Sequence, residues 1–266
     1  MWVRFRHKIV FALFKPFFFI YTRLKYGYHA KKYHLDKGPC LMLYNHPTNL
    51  DPIMMALSFS GPIYFVTNDD VFNNPLVSVL LRYLVAPIPK AKGVRDISTV
   101  KNCIRIIKEG GRIGIAPEGN RNYSGRLNHI DKSIVKLVRF LKVPVVLYNI
   151  NGGFGVNPRF SISLRKGKMF GEVNRVISPE EIKSKSDEEL LKIIIEGLDV
   201  DDVLLQQKYK SKAKAENLES AFYICPVCNS LSSLYSQGDF LHCKECGLEV
   251  EYTEELLFKT SNPLFK

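Results

Sequence analysis

The chain has 266 residues, enough to bury a sizeable core, and this length favours one main domain with a small appendage. Its hydrophobic content of 46% and charged content of 24% are ordinary for a folded globular protein. The formal net charge of +12 is not ordinary, and it predicts an anionic partner: nucleic acid, an acidic membrane surface or a phosphorylated substrate. Charge alone does not distinguish these three.

Residues 1–34 combine an apolar run with cations on both sides. Residues 9–21 are almost wholly apolar, and this run of about 13 residues is shorter than the roughly 20 that a membrane-spanning helix needs. It is also not followed by the small-residue cleavage site of a secretory signal. The pattern favours a membrane-associating helix that lies in the headgroup region, and a buried first helix of the domain is the alternative.

Between residues 35 and 178, short apolar runs alternate with amphipathic segments. Apolar residues recur at helical spacing over residues 97–107 and 134–141. Strands that alternate with helices predict an α/β domain in which helices flank the sheet. The predicted strands are Cys40–Tyr44, Ile63–Thr67, Val85–Ile88, Arg112–Ala116, Val143–Ile150, Arg159–Leu164 and Lys168–Val173.

A histidine and an aspartate five residues apart follow the first of these strands. His46, Pro47 and Asp51 predict a turn that leads into a helix, because proline suits an early helical position. With His46 in the turn and Asp51 in the first helical turn, the carboxylate can hold one imidazole nitrogen and leave the other free as a base. This is the base-and-orienter part of a catalytic triad, without a protein nucleophile. A purely structural pair is the alternative.

A second polar turn follows the predicted strand at residues 112–116. There Gly119 lies between Glu118 and Arg121. Glycine lets a ligand approach the backbone closely, and the planar guanidinium of arginine can bind phosphate through two donors. The turn therefore predicts an anion-binding loop, and a surface loop with an Arg–Glu pair is the alternative.

In this order, about 70 residues apart, the two turns resemble the glycerolipid acyltransferase family, which includes the 1-acylglycerol-3-phosphate acyltransferases. Residues 46–51 resemble its HxxxxD signature, residues 116–121 its FPEGTR block and residues 143–146 its VPV block. Lys90 stands where the family has a basic residue that contacts substrate. The resemblance covers roughly residues 35–175.

The resemblance implies a mixed α/β sheet and an O-acyltransferase of phospholipid biosynthesis at the cytoplasmic face of a membrane. A fatty acyl group would pass from acyl-CoA or acyl-carrier protein to a lysophospholipid hydroxyl, converting 1-acylglycerol-3-phosphate to phosphatidate. His46 would accept the hydroxyl proton and Asp51 would stabilise the imidazolium, with no catalytic cofactor. Arg121 and Lys90 would contact the acceptor's phosphate. The residues expected to bind the acceptor are Lys90, Glu118, Gly119 and Arg121.

The C-terminal part differs in character. Residues 179–220 are polar and helix-prone and then basic, which predicts a helical connector. Residues 221–255 contain two C-x2-C pairs separated by 14 residues, the spacing of a structural zinc ribbon. Disulfides would need an oxidising compartment, which no feature of the sequence indicates. A segment of roughly 45 residues has too small a core to fold alone, so zinc would supply folding energy. The predicted ligands are Cys225, Cys228, Cys243 and Cys246.

A zinc ribbon and a positive net charge are also compatible with a nucleic-acid-binding protein that carries an accessory α/β domain. Residues 222–252, however, contain a single lysine, Lys244, against four acidic residues. Phosphate contacts need cations on the contacting face. The sequence therefore favours an anionic membrane surface as partner and predicts no nucleic-acid partner. A closed shell of four thiolates argues against a catalytic zinc. An acyltransferase for a different lipid or a non-lipid acceptor stays open.

Overall fold

The computed structural model describes residues 1–36, 38–91 and 97–265. The helices are α1 (Phe5–Tyr26), α2 (Asp51–Leu57), α3 (Pro75–Leu84), α4 (Ile97–Lys108), α5 (Ser133–Leu141), α6 (Gly153–Val156), α7 (Pro179–Ser184) and α8 (Asp187–Leu198). The strands are β1 (Tyr28–Ala30), β2 (Cys40–Tyr44), β3 (Tyr64–Asn68), β4 (Ile88–Lys90), β5 (Arg112–Ile115), β6 (Val145–Asn151), β7 (Met169–Ile177), β8 (Leu234–Gln237), β9 (Phe240–Cys243), β10 (Glu249–Tyr252) and β11 (Phe258–Lys259).

A seven-stranded sheet in the order β1-β7-β6-β2-β5-β3-β4 organises residues 28–177 of the chain. Strands β6, β2, β5, β3 and β4 are mutually parallel, whereas β7 pairs antiparallel with β6 and parallel with β1. The predicted mixed sheet is therefore confirmed. The carboxyl ends of the five parallel strands meet at one edge, which is where α/β sheets bind ligands.

The alternation of side chains along β2 shows how both faces of the sheet are covered. All five residues of β2 are buried, as expected for a central strand between two layers. Leu41 and Leu43 pack with apolar residues of α4, α5 and α8 on one face. Met42 and Tyr44 pack with α2 and with the C-terminal segment on the other. Helices flank the sheet, as the sequence predicts.

The strand predicted for Arg159–Leu164 is wrong, because this segment is a loop between α6 and β7. Polar and apolar residues alternate there with the period of a strand. The two serine side chains, however, bind a carboxylate from a distant part of the chain instead of alternating along a strand. The Ser161 hydroxyl donates to Glu216 Oε2 at 2.7 Å, and the Ser163 hydroxyl donates to Glu216 Oε1 at 3.2 Å.

Helix α3 occupies a position where the sequence predicts no helix. Pro75 lies in its first turn and the Asn74 side chain accepts from Val77 N at 3.2 Å, a regular N-terminal cap. The helix extends to Leu84, so the strand predicted at Val85–Ile88 begins only at Ile88.

The predicted N-terminal helix is present as α1, which has 22 residues and is therefore about 33 Å long. It ends at Gly27, whose φ of 61° is left-handed. A β-carbon at that position would lie 2.3 Å from the Gly167 carbonyl oxygen, so only glycine fits. Within the described ranges, no helix combines the length and apolar character needed to cross a membrane.

The segment predicted as a connector contributes to the main core. It contains α7 and α8, and α8 begins with a capping box between Ser186 and Glu189. Buried residues of both helices join the cluster on one face of the sheet. After residue 220 the chain forms a second, antiparallel sheet in the order β11-β10-β9-β8. The division of the chain into four segments stays a prediction.

Candidate active site

His46 and Asp51 meet at the carboxyl end of β2. His46 Nδ1 lies 2.8 Å from Asp51 Oδ2, and Asp51 is fully buried while the imidazole is 23% exposed. The other ring nitrogen, Nε2, makes no hydrogen bond to any residue that the structure describes. The pair thus has the geometry predicted from the spacing, with one nitrogen fixed by a carboxylate and the other available to a substrate.

The buried Asp51 carboxylate is held by more than the histidine. Thr48 N donates to both carboxylate oxygens at 3.0 Å, and the Thr48 hydroxyl donates to Oδ1 at 2.5 Å. A carboxylate without solvent needs such donors to remain charged. The sequence interpretation missed Thr48, although a threonine three residues before an aspartate in a turn is a recognisable hydrogen-bonding pattern.

Glu118 joins the second polar turn to the first. Its Oε1 accepts from His46 N at 2.7 Å, and its Oε2 accepts from Asn128 N at 2.7 Å. Burial raises the pKa of Glu118, and these two N–H donors oppose that shift. The structure therefore places Glu118 beneath the histidine, where it fixes the backbone of the turn. Asn128 is a contact that the sequence does not reveal.

The Arg121 guanidinium reaches across the site and joins two segments, the turn at Pro47 and Asn49 and the loop at Asn157. Its Nε donates to Pro47 O at 3.1 Å and one terminal nitrogen to Asn49 Oδ1 at 3.3 Å. The other terminal nitrogen donates to Asn157 O at 2.5 Å and to Asn157 Oδ1 at 3.1 Å. These four contacts leave one of the five guanidinium N–H groups free. Burial lowers the pKa of Arg121, and the nearby Asp51 charge opposes the shift.

Gly119 and Lys90 occupy different places relative to this cluster. Gly119 has a φ of 73° and open space around the position of a β-carbon, so its backbone is accessible to a ligand. Lys90 ends β4 at the same sheet edge, but β3 and β5 lie between β4 and β2. Three strand spacings correspond to about 14 Å. The structure thus brings together His46, Asp51, Glu118, Gly119 and Arg121, with Lys90 farther along the edge.

Asp202 supports the site from the connector. Its carboxylate accepts from Gly152 N and Phe154 N at 2.7 Å each, which fixes the loop before Asn157. Burial raises the pKa of Asp202 to about 6, and the backbone donors oppose the shift. The same loop touches the His46–Asp51 turn, because a β-carbon on Gly153 would lie 2.5 Å from Pro47 Cγ. No local sequence signal identifies the hydrogen bond between Phe154 N and Asp202, which are 48 residues apart.

The four predicted metal ligands cluster in the C-terminal sheet, with their sulfur atoms all within 4.8 Å of one another. The separation is 3.7 Å between Cys225 and Cys246 and 3.8 Å between Cys228 and Cys243. A tetrahedral zinc with bonds of about 2.3 Å requires sulfur atoms roughly 3.8 Å apart. None of the four forms a disulfide. The donor set and its dimensions fit zinc.

The two cysteine pairs have the same backbone geometry. Asn229 N donates to Cys225 O at 2.9 Å, and Gly247 N donates to Cys243 O at 3.1 Å. Both Asn229 and Gly247 have positive φ, 58° and 68°. Each pair is therefore a tight turn that directs both sulfur atoms to one centre.

Fold and site together define an α/β domain that carries a histidine–aspartate pair and an arginine loop at neighbouring strand ends. Residues 25–150 match the model of the acyltransferase family. A 1-acyl-sn-glycerol-3-phosphate acyltransferase of Borreliella burgdorferi is 26% identical over 59% of this chain and 64% of its own length. A chloroplastic 1-acyl-sn-glycerol-3-phosphate acyltransferase of Brassica napus is 26% identical over 56% of this chain and 42% of its own.

The chain thus spans less than two thirds of the length of these relatives. The crystal structure of the 1-acyl-sn-glycerophosphate acyltransferase PlsC from Thermotoga maritima superposes with a TM-score of 0.60 at 21% identity, over 72% of this chain and 78% of that one. This likeness bears on the fold. The family model and these relatives support an acyltransferase domain over residues 25–150 of this chain.

Proposed function

We propose that the protein is an O-acyltransferase that moves a fatty acyl group from a thioester to the free hydroxyl of a lysophospholipid. The observation that carries this proposal is the His46–Asp51 pair, whose Nε2 is free at a strand end of an acyltransferase-family domain. Lysophosphatidate is the favoured acceptor, because the relatives are named for it. The product would be phosphatidate.

The chemistry needs one base and no protein nucleophile. His46 Nε2 accepts the hydroxyl proton while the hydroxyl oxygen bonds to the thioester carbonyl carbon, and Asp51 stabilises the resulting imidazolium. The tetrahedral intermediate then breaks its carbon–sulfur bond. The departing thiolate takes the proton from His46, which returns the pair to its initial state. The donor is acyl-CoA or acyl-carrier protein, and the reaction uses no catalytic cofactor.

The acceptor headgroup lies against the second polar turn in this proposal. Arg121 offers its remaining N–H to the phosphate, Gly119 permits close approach of the backbone, and Lys90 contributes positive charge along the edge. Glu118 acts through the His46 backbone that it holds. The enzyme works at the cytoplasmic face of an anionic membrane, on which α1 lies, in phospholipid synthesis.

The four-cysteine centre is proposed to hold one structural zinc ion. Four thiolates complete a tetrahedral shell and leave no position for a substrate. Cys225 and Cys243 are buried, whereas Cys228 and Cys246 are exposed, so the ion would lie at the edge of the small sheet. Its contribution is to the fold of the ribbon.

The test is acyl transfer by the purified protein in mixed micelles, with product identified by mass spectrometry. The acceptors are lysophosphatidate, a lysophospholipid whose phosphate is a diester, and glycerol 3-phosphate, each with acyl-CoA and acyl-carrier protein. We expect transfer to lysophosphatidate to be fastest, with His46→Ala as the blank. Transfer confined to the diester would refute the proposed acceptor. Folded, zinc-loaded protein that acylates none of them would refute the activity.

A further inference from the structure

Helix α3 exposes an apolar face to solvent. None of its ten residues is buried, although most are apolar. Leu76, Val79, Leu80 and Tyr83 are spaced so that they share one side of the helix, and Leu76 is 82% exposed. In a globular protein such a face normally packs on the core. An exposed patch of this kind marks a surface that contacts an apolar partner.

Helix α1 continues this surface. Its exposed large apolar residues include Phe5, Leu13, Phe17 and Leu24. Two contacts join the start of the chain to the end of α3. Arg6 Nε donates to Tyr83 O at 2.9 Å with the guanidinium 4.0 Å from the Tyr83 ring centroid, and Trp2 Nε1 donates to Ala86 O at 2.8 Å. The two apolar helices are therefore fixed beside each other.

A pocket of about 320 Å³ at this junction is lined by three arginines, Arg4, Arg6 and Arg82. No acidic residue is among its described lining residues. The hydrogen bonds described for these arginines use Nε alone, so their terminal nitrogens have no partner in the described part of the chain. The acceptors of the three Nε bonds are Met1 O, Tyr83 O and the Ser78 hydroxyl.

A buried histidine in the same pocket also has an unused polar atom. His7 is 2% exposed, and its Nε2 has no hydrogen-bond partner in the described ranges, while its Nδ1 lies 3.0 Å from the Tyr64 hydroxyl. Burial and the charges of Arg6 and Arg4 lower the pKa of His7, and the Tyr83 carbonyl opposes this shift. In the described part of the chain, three guanidinium groups thus converge with their terminal nitrogens unpaired, which indicates an anionic ligand that carries oxygen atoms.

We propose that this arginine pocket binds the phosphate headgroup of an anionic phospholipid in the bilayer, while the apolar faces of α1 and α3 enter the acyl-chain boundary. The site shares no residue with the His46–Asp51 cluster, so the bound lipid is an anchor and not the acyl acceptor. The inference rests on the membrane association in the proposed function and names its ligand. A free phosphate compound would satisfy the arginines but not the apolar faces beside them.

The test measures binding of the full-length, zinc-loaded protein to vesicles of phosphatidylcholine with and without phosphatidylglycerol. The variant Arg4→Gln/Arg82→Gln keeps Arg6, which joins α1 to α3. A cation at an anionic membrane surface contributes about fivefold in affinity (about 1 kcal/mol), so the double variant should bind anionic vesicles roughly 25-fold more weakly. Binding to pure phosphatidylcholine should not change.

The matched control is Lys136→Gln/Lys212→Gln, which removes the same charge from two exposed lysines outside the pocket. It should weaken anionic binding by less than about threefold, since charges beyond a Debye length are screened. A loss of affinity equal to that of the arginine variant would show that binding depends only on net charge, and it would overturn the proposal. Leu76→Ser/Leu80→Ser should weaken binding to both vesicle types, and unchanged binding would remove α3 from the surface.

Further measurements distinguish the proposed lipid from other ligands, and this lipid site from the proposed acyltransferase activity. Displacement of the protein from anionic vesicles by millimolar glycerol phosphate would identify a site for a free phosphate compound. A loss of transfer from acyl-carrier protein but not from acyl-CoA in the arginine variant would identify a protein-docking site. Either result overturns the lipid assignment. His46→Ala should bind vesicles like the wild type, and the arginine variant should acylate a short-chain, water-soluble acceptor normally. Vesicle binding by a wild-type protein that shows no acyl transfer would support the lipid site and refute the proposed function.

Discussion

The His46–Asp51 turn and the four-cysteine centre both hold a few side chains in a fixed arrangement, but by different means. In the turn, every oxygen of the buried Asp51 carboxylate has a protein donor, and the turn follows the central strand of a large core. The cysteines lie in two turns beside a sheet of four short strands, and two of the four cysteines are exposed. The first arrangement is stabilised by the main core, whereas the second is proposed to depend on a bound metal. The difference predicts which site survives which perturbation.

The two regions are nevertheless in contact through one loop. Arg165 is buried against the rings of Phe160 and Tyr252, at 5.5 and 5.1 Å from their centroids, and it donates to Lys214 O. Tyr252 belongs to β10 of the cysteine sheet, and Phe160 lies three residues after Asn157, which holds Arg121. Loss of the ribbon should therefore reach the arginine of the active site.

Among the variants that keep His46, the largest expected effect comes from Asp51→Asn, which leaves the shape of the turn but removes the charge. We expect kcat to fall about 1,000-fold, because the imidazolium loses its stabilising carboxylate and the amide cannot accept from both Thr48 and His46 as the carboxylate does. Steady-state kinetics beside thermal unfolding would measure this. Retention of a tenth of wild-type kcat would remove Asp51 from the mechanism.

A smaller loss is expected from Arg121→Lys. The lysine keeps the positive charge but not the four directed N–H contacts, so kcat/KM for the acceptor should fall roughly 30- to 100-fold, the equivalent of about 2–3 kcal/mol. Asn157→Ala separates the two roles of Arg121, which are to hold the loop and to bind phosphate, since it removes one acceptor of Arg121 and leaves the guanidinium. If Asn157→Ala has wild-type kinetics while Arg121→Lys has a much lower kcat/KM, then Arg121 acts by binding the acceptor phosphate and not by holding the loop.

Removal of zinc should unfold the ribbon and leave the main sheet folded. Without Tyr252 to cover it, the 157–168 loop should become cleavable by protease at Arg165, and kcat/KM should fall about tenfold through Arg121. The comparison is Cys243→Ser against His242→Ala, measured by zinc content and limited proteolysis. His242→Ala should retain one zinc per chain, because the imidazole lies beside the ligand set without completing it. A metal-free Cys243→Ser protein with an intact loop would disprove the coupling.

The smallest effect on activity is expected from Asp202, which instead makes the stability of the fold depend on pH. Because burial raises its pKa from 3.8 to about 6, the folded protein holds this proton to higher pH than the unfolded chain does. The folded state thus binds more protons between about pH 4 and pH 6, and its free energy of unfolding falls as the pH rises through that window, by up to about 3 kcal/mol. Above pH 6 the contribution is constant. Chemical unfolding of wild type and Asp202→Asn at several pH values would show whether this slope disappears in the variant.

Local features of the sequence account for the parts of the site that could be predicted. His46 and Asp51 lie within one turn, and each cysteine pair closes its own tight turn, so residue type and spacing define their geometry. Asn157, Asp202 and Arg165 act on residues 36 to 49 positions away, and only the packed fold brings them there. The strand predicted at Arg159–Leu164 is wrong for the same reason, since its alternation serves a contact with Glu216 that lies 55 residues beyond Ser161.

The most direct measurement is acyl transfer to lysophosphatidate by His46→Ala beside the wild type, at matched zinc content and thermal stability. The imidazole is partly exposed, so its removal should leave the fold intact. We predict that product formation falls by at least about 1,000-fold, within the usual contribution of a general base, while vesicle binding is unchanged. Transfer within a few-fold of the wild type would show that His46 is not the base, and the proposed mechanism would be wrong.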